Sequence, residues 1–324
     1  MKTIASVLQA WARSKGGDTD NRALAIMQWM KDLQSSGVLE DVKPNAFTYS
    51  VVLASIVRSK RSDALESATE LLQEMEDAVL AGDNDCRPTI VTYNTVLSSI
   101  AESGDPIKAQ EFMARIYHRF ESGILHQKPN IFTWNLLVEA WSRSRRPDAI
   151  KGALAAINRI RSLHASGELD QKPNFDTFKE LLYCHLRSEI YNRKTILEIL
   201  DEMDKLTAAG DGRISMYDQF ALIRLLCEKR DSALLYRAER ILETMKRKGD
   251  SREESVREAY NILISAWTQT RDPNSAERVN ILKLQRNGLK IPRSSLVSAS
   301  EKDTSRAYSN LTETDATTRL VRFF

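Results

Sequence analysis

The stretch KPNIFTWNLLVEAWSRS, Lys128 to Ser144, recurs along the chain. Upstream stand KPNAFTYSVVLASIVRS from Lys43 and RPTIVTYNTVLSSIAES from Arg87. Downstream stand KPNFDTFKELLYCHLRS from Lys172 and a barer AYNILISAWTQT from Ala259. A recurrence of this period marks a stacked array, in which each copy is one small unit that buries its apolar face against its neighbours.

Each copy opens a helical segment with a bulky residue: Ile4, Tyr49, Tyr93, Trp134, Phe178, Tyr217 and Tyr260, at steps of 45, 44, 41, 44, 39 and 43 residues. Seven positions later a second large residue follows in several copies: Trp11, Ile56, Ile100, Trp141 and Trp267. That spacing puts both on one helical face, two turns apart, and reads as core packing. A second segment carries the i, i+3, i+4, i+7 stripe of an amphipathic helix, as in Ala68-Leu71-Leu72-Met75 and Ala109-Phe112-Met113-Ile116. The seventh copy keeps Ala276 and Val279 but has Asn280 and Lys283 next in its stripe, the polar face expected of an array end.

Gly37, Gly82, Gly123, Gly167, Gly210, Gly249 and Gly288 close the second segments. Glycine takes the left-handed conformation there without a steric penalty. It falls seven residues after the stripe in copies one to five and four after it in copy six, so the second helix is expected to be shorter in copy six. Pro44, Pro88, Pro129 and Pro173 fix the turns into the following first helices. No alternating run bounded by turn residues predicts a strand.

The expected architecture is all-α: a right-handed superhelical solenoid of about seven helix-turn-helix repeats, first helices on the concave side. The units run 1–45, 46–89, 90–130, 131–174, 175–212, 213–256 and 257–293, with a Ser/Thr-rich tail at 294–324 that holds at most a short helix near SRAYSNL. ISMYDQFALIRLL in copy six allows two alignments. The repeat begins abruptly at Met1, as it would in a piece of a longer protein, and MKTIASVLQAWARS is expected to be part of the fold rather than a transit peptide.

Composition narrows the function. With 42% hydrophobic residues, 8 prolines and 12 glycines in 324, the chain has the make-up of a helical globular protein. A net charge of +3 permits a polyanionic partner without demanding one. Cys86, Cys184 and Cys227 lie far apart and read as reduced thiols rather than a disulfide frame or a zinc site. No apolar run reaches the ~18 residues of a membrane span. His118, His126, His164 and His185 share no ligand spacing, and the acids of GDNDC at 82–86 form one turn without partner carboxylates. Neither a glycine-rich phosphate loop nor HExxH occurs. No enzyme, metal, cofactor or small-molecule substrate is expected.

VTYNTVLSSIAESGD from Val91, followed by KAQEFMARI and KPN, closely resembles the pentatricopeptide repeat, and FTWNLLVEAWSRS and AYNILISAWTQT resemble it too. The resemblance runs from about residue 3 to residue 293, although these units are longer than the family's usual length. It implies binding of single-stranded RNA, one base per repeat. It also implies an organelle, mitochondrion or plastid, and work in maturation, stability or translation of a transcript. Two rival functions stay open: a protein-protein scaffold, with partners on the convex face or tail, and the RNA-binding part of a processing enzyme.

By that resemblance, bases are read by the fifth residue of a unit and its last. These are Ser50 with Thr89, Asn94 with Asn130, and Asn135 with Asn174; Lys179 breaks the pattern in unit five. An amide offers a donor pair and an acceptor to a base edge. Asn45, Asn130 and Asn174 are also preferred N-cap residues just before a helix, so capping and reading are both open. Phe47, Val91 and Phe132 stand where the family wedges an apolar side chain beside the base, with plain packing as the alternative. Arg58, Arg143 and Arg187 close first helices, with Arg13 in the first unit. They are read either as phosphate contacts or as charges complementing a helix C-terminus.

Overall fold

Ala68, Leu72 and Met75 lose all their exposure to solvent and Leu71 keeps 6% of it, so the stripe read in the second segment is a buried seam. Ala109, Phe112, Met113 and Ile116 are buried in the next unit, as are Ala153, Ala156, Ile157 and Ile160 in the one after. The structure, a computed structural model, describes residues 19–36, 43–59, 61–190, 192–210, 215–247 and 253–288. Ile4, Trp11, Arg13, Gly37, Gly249 and the whole 294–324 tail lie outside them.

The described residues form an all-α helical-repeat array with no strand. In chain order the helices are α1 Thr19–Ser35, α2 Ala46–Ser59, α3 Ala64–Leu80, α4 Ile90–Ser103, α5 Pro106–Glu121, α6 Ile131–Arg143 and α7 Ala149–Ala165. There follow α8 Phe175–Arg187, α9 Arg193–Ala208, α10 Met216–Glu228, α11 Ser232–Arg247, α12 Glu253–Thr268 and α13 Ser275–Arg286. The chain divides into two compact units, 1–184 and 185–324.

Within 1–184, helices α2, α4 and α6 pair with α3, α5 and α7 respectively. Each first helix also packs on the next first helix, α2 on α4 and α4 on α6, and α1, α3 and α5 each pack on the first helix that follows. Within 185–324, α10 packs on α11 and α12, and α12 on α11 and α13. Each of these helices therefore packs on its neighbours in sequence, which is what a period of one helix pair requires.

Two close approaches limit the side chains. Gly104, φ 70, lies where an added Cβ would stand 2.9 Å from the carbonyl oxygen of Arg143 in the next turn. Gly152 on α7 faces the indole of Trp141 on α6, 2.3 Å from where its Cβ would be. Polar couplings join successive second helices. Fully buried Glu76 on α3 accepts from Tyr93 Oη at 2.8 Å and from Arg115 and Arg119 on α5, each at 2.8 Å. A buried carboxylate is tolerable only when met this completely. Glu239 on α11 likewise accepts from Trp267 Nε1 at 2.7 Å and pairs with Arg278 on α13.

Three expectations need correction. Tyr217 is not the core residue of its unit: it is 83% exposed, and Gln219, 4% exposed, takes the inward place. The helix is phased by Ser215, whose hydroxyl caps it by accepting from Asp218 N at 3.1 Å. Helix α11 is not short: it has 16 residues, as many as α5 and α9, because Asp231 starts it early by accepting from Ala233 N and Leu234 N. Helix α13 does not turn a polar face inward. It buries Ile281 and Leu282, with Arg278 preceding them, so its inward stripe starts two residues later than Ala276.

Candidate nucleic-acid interface

The starts of α2, α4, α6 and α8 are built the same way. A cap residue with a short polar side chain accepts the backbone N–H of the third helical residue: Asn45 from Thr48 at 3.1 Å, Thr89 from Thr92 at 3.4 Å, Asn130 from Thr133 at 3.1 Å and Asn174 from Thr177 at 3.2 Å. The threonine hydroxyl returns the bond, accepting from the cap N–H of Thr89, Asn130 and Asn174 at 3.1–3.2 Å. This is a capping box with threonine in place of the usual Glu or Gln. Thr48, Thr92, Thr133 and Thr177 are buried, so the box fixes the height at which each helix begins. Their column is visible in the sequence as FTY, VTY, FTW and DTF, a threonine before each bulky residue.

Counting from the cap, the second residue points to solvent. Phe47 is 44%, Val91 67% and Phe132 55% exposed. Packing of helix starts therefore does not account for them. Tyr217, second after Ser215, joins this column once α10 is phased on its cap. In α8 the position holds exposed Asp176, 3.3 Å from Lys179 Nζ.

The fifth residue after the cap is drawn inward, toward the following first helix. Ser50 donates to Ala46 O at 2.7 Å and lies 3.3 Å from the hydroxyl of Thr92 on α4. Asn135 donates from Nδ2 to Asn174 Oδ1 at 3.0 Å and accepts from Thr177 Oγ1 at 2.6 Å. Asn94, equally buried, has no partner for Oδ1 among the described residues. An unmet buried acceptor of this kind costs about 1–3 kcal/mol.

Arg58 and Arg143 stand exposed in the last turns of α2 and α6. Arg58 Nε donates to Ala54 O at 3.1 Å, and Arg143 pairs with Glu139 one turn back at 2.8 Å. Arg187 ends α8 and is also exposed. In α10 the equivalent position, thirteen after the cap, is Glu228, 3.8 Å from Arg224.

A family model described as the pentatricopeptide repeat domain matches residues 33–103, and a model of the single repeat matches residues 91–116. Over these residues the chain is similar to the pentatricopeptide repeat. The first residue range matched spans α2, α3 and α4, and the second takes in most of α4 and α5.

A pentatricopeptide repeat-containing protein of Arabidopsis thaliana is 23% identical over 167 residues, 51% of this chain and 26% of that protein. The chain thus spans about a quarter of that relative's length. The crystal structure of the pentatricopeptide repeat protein PPR10 from maize aligns with a TM-score of 0.41 at 19% identity, covering 90% of this chain and 40% of that one.

The rest of this repeat protein bears little on other chemistry. Among the described residues no group of three or more His, Cys, Asp or Glu side chains could hold a metal ion, and no helix is long and apolar enough to cross a membrane. Cys86, Cys184 and Cys227 are buried and form no disulfide. Burial pushes the thiols of Cys86 and Cys227 up to about 12.

Proposed function

We propose that this protein binds single-stranded RNA along the starts of its first helices, one base to a repeat. One repeated feature carries the reading. An exposed apolar side chain stands three residues before an inward polar one: Phe47 and Ser50, Val91 and Asn94, Phe132 and Asn135. Residues three apart share a helix face. A flat base resting on the apolar member brings its edge to the polar one. Bases splayed from a single strand offer such an edge, whereas those of a duplex are already paired.

The pairs Ser50 with Thr89, Asn94 with Asn130 and Asn135 with Asn174 then select three adjacent bases. Two Asn/Asn repeats in succession favour two pyrimidines, preceded by a purine at the Ser50 repeat. Asn94 Oδ1 is buried and has no partner among the described residues, and a base amine or imide N–H supplies the missing donor once the side chain turns outward. Arg58, Arg143 and Arg187 serve as phosphate contacts, which add affinity without reading sequence. The physiological reading is maturation, stabilisation or translation of a mitochondrial or plastid transcript, supported by the repeat family.

Short RNAs that vary at three adjacent positions test this by fluorescence anisotropy on the whole chain. The purine-pyrimidine-pyrimidine series should bind tightest, and equal affinity for every series would remove the reading. Replacing Arg58 or Arg143 by Ala should lower the slope of log K against log salt by about 0.7 each.

A further inference from the structure

Two joints between successive second helices of residues 1–184 are built around a carboxylate. Between α1 and α3, Glu74 accepts from Tyr49 Oη at 2.7 Å and pairs with Lys31. Between α3 and α5, Glu76 accepts from Tyr93 Oη at 2.8 Å and from Arg115 at 2.8 Å. The parts recur in register. Tyr49 and Tyr93 stand four residues after the caps Asn45 and Thr89. Lys31 and Glu76 stand eight residues after Ala23 and Ala68, which lead their stripes, and Glu74 and Arg115 stand six after Ala68 and Ala109. Each joint thus holds an aromatic donor, one acid and one cation.

The joint between α5 and α7 has the donors and lacks the acid. By the same count its three places hold Trp134, Tyr117 and Arg159. Trp134 is only 7% exposed, and its Nε1 has no hydrogen-bond partner among the described residues; the Tyr117 hydroxyl lies near it without bonding to it. A buried donor left this way is costly to the fold. Arg159 is exposed and makes no ion pair or hydrogen bond among the described residues. Glu168 lies within electrostatic reach of Tyr117, but it accepts from Ser166 Oγ at 2.9 Å. Trp134, Tyr117 and Arg159 line a cleft of about 400 Å³, which the small side chains of Ala114 and Ala155 leave open.

We propose that this cleft binds the carboxylate of a small organic acid. Half-buried Tyr117 swings aside, and the carboxylate takes the place that Glu76 fills one joint earlier, between the Trp134 N–H and the Arg159 guanidinium. The same donor pair already holds an acid in this protein, where Glu239 accepts from Trp267 Nε1 at 2.7 Å and pairs with Arg278. One guanidinium and one neutral N–H match a single negative charge, and such charge-assisted bonds are the strong ones. The cleft has the size of a small-ligand site. Met113 and Leu137 at its base are each 4% exposed, so it offers no apolar face broad enough for a peptide. The site stands whether or not the first-helix starts read RNA.

The probe is phenylpropanoate, with phenylpropanamide as its uncharged counterpart, titrated into the isotope-labelled whole chain and followed by NMR on the indole N–H resonances. The resonance missing from Trp134→Phe identifies Trp134. The acid should move that resonance downfield and bind at least tenfold tighter than the amide. Arg159→Gln should weaken the acid at least tenfold, whereas Arg145→Gln, on an exposed arginine elsewhere, should stay within twofold of the wild type. Tyr117→Glu supplies the carboxylate from the chain itself. It should raise the urea midpoint of unfolding and weaken the acid at least tenfold.

A Trp134 resonance that stays in place overturns the proposal, as does an amide that binds as well as the acid. Smaller losses in Arg159→Gln or Tyr117→Glu overturn it too, as does an equal loss in Arg145→Gln. Tighter binding of the blocked peptide acetyl-Ala-Glu-Ala-amide would overturn it in favour of an acidic side chain of a partner protein. Tighter binding of inorganic phosphate would overturn it in favour of a phosphate group.

Discussion

Asn135 on α6 gives its amide hydrogen to Asn174 at the cap of α8, 3.0 Å away, while its own carbonyl takes the hydroxyl hydrogen of Thr177 at 2.6 Å. The two asparagines differ in what they hold. Asn174 caps a helix and touches the neighbouring repeat; Asn135 sits inside a first turn and caps nothing. Asn174→Ala should therefore cost about 1 kcal/mol of stability through the lost cap. Asn135→Ala should cost less, since Thr177 keeps Asn174 as a partner at 3.0 Å, yet should relax base preference at one position. Urea unfolding and RNA titration of both variants separate the two roles. An Asn135→Ala protein with unchanged base preference would leave the amide a purely structural part.

Phe132 is more than half exposed, so its ring contributes little to the fold. Phe132→Ala should leave the unfolding midpoint nearly unchanged. Base stacking on an aromatic is worth about 1–3 kcal/mol, so RNA affinity should fall by roughly 5- to 150-fold. Val91→Ala at the same place in the preceding repeat should lose less, because an isopropyl group offers a base a smaller face. Anisotropy titrations of the two variants, with circular dichroism to check the fold, measure the difference.

Gly152 has ordinary helical backbone, so its conformation does not demand glycine. The demand comes from Trp141, whose ring atoms lie 2.3–2.4 Å from the place of a Cβ. The indole is 5% exposed and has little room to withdraw. Gly152→Ala should destabilise by about 1–3 kcal/mol, the range for overpacking a filled core, although alanine is the better helix former. The unfolding midpoint in urea reads this directly, and a stabilised variant would mean that the indole shifts freely.

Much of this fold could be read before any coordinates. The Tyr49, Tyr93, Trp134, Phe178 and Tyr260 column is buried as its spacing required, and the glycines at 82, 123, 167, 210 and 288 all have positive φ. What could not be read is where a non-local partner sets the phase. Arg278 occupies an inward place on α13 only because Glu239 on another helix meets its charge. Tyr217 looked like core by spacing, yet its helix is phased by Ser215, a weaker signal than an aromatic ring. The wedge column was placed by resemblance. That its side chains stay exposed is a property of the packed array that no local pattern contains.

His185 shows the same limit. Seven residues after Phe178, it stands in the column that holds Ile56, Ile100, Trp141 and Trp267, and it is 6% exposed. Neither ring nitrogen has a hydrogen-bond partner among the described residues. Burial disfavours the imidazolium and lowers its pKa below the usual 6.5. In the unfolded chain the ring binds a proton near pH 6.5, whereas in the folded chain it resists one. Its neutral form thus contributes fully above pH 6.5, and stability drains away as pH falls from there toward the lowered folded value. His185→Leu should remove both the unmet nitrogens and this titration. The variant should be about 1 kcal/mol more stable than wild type at pH 7.5, at the lower end of the cost of an unsatisfied buried group. Its advantage should widen at pH 5.5. Urea midpoints at pH 7.5, 6.5 and 5.5 give the comparison. A gap that stays constant across the three would mean that the folded ring takes up its proton as readily as the unfolded one.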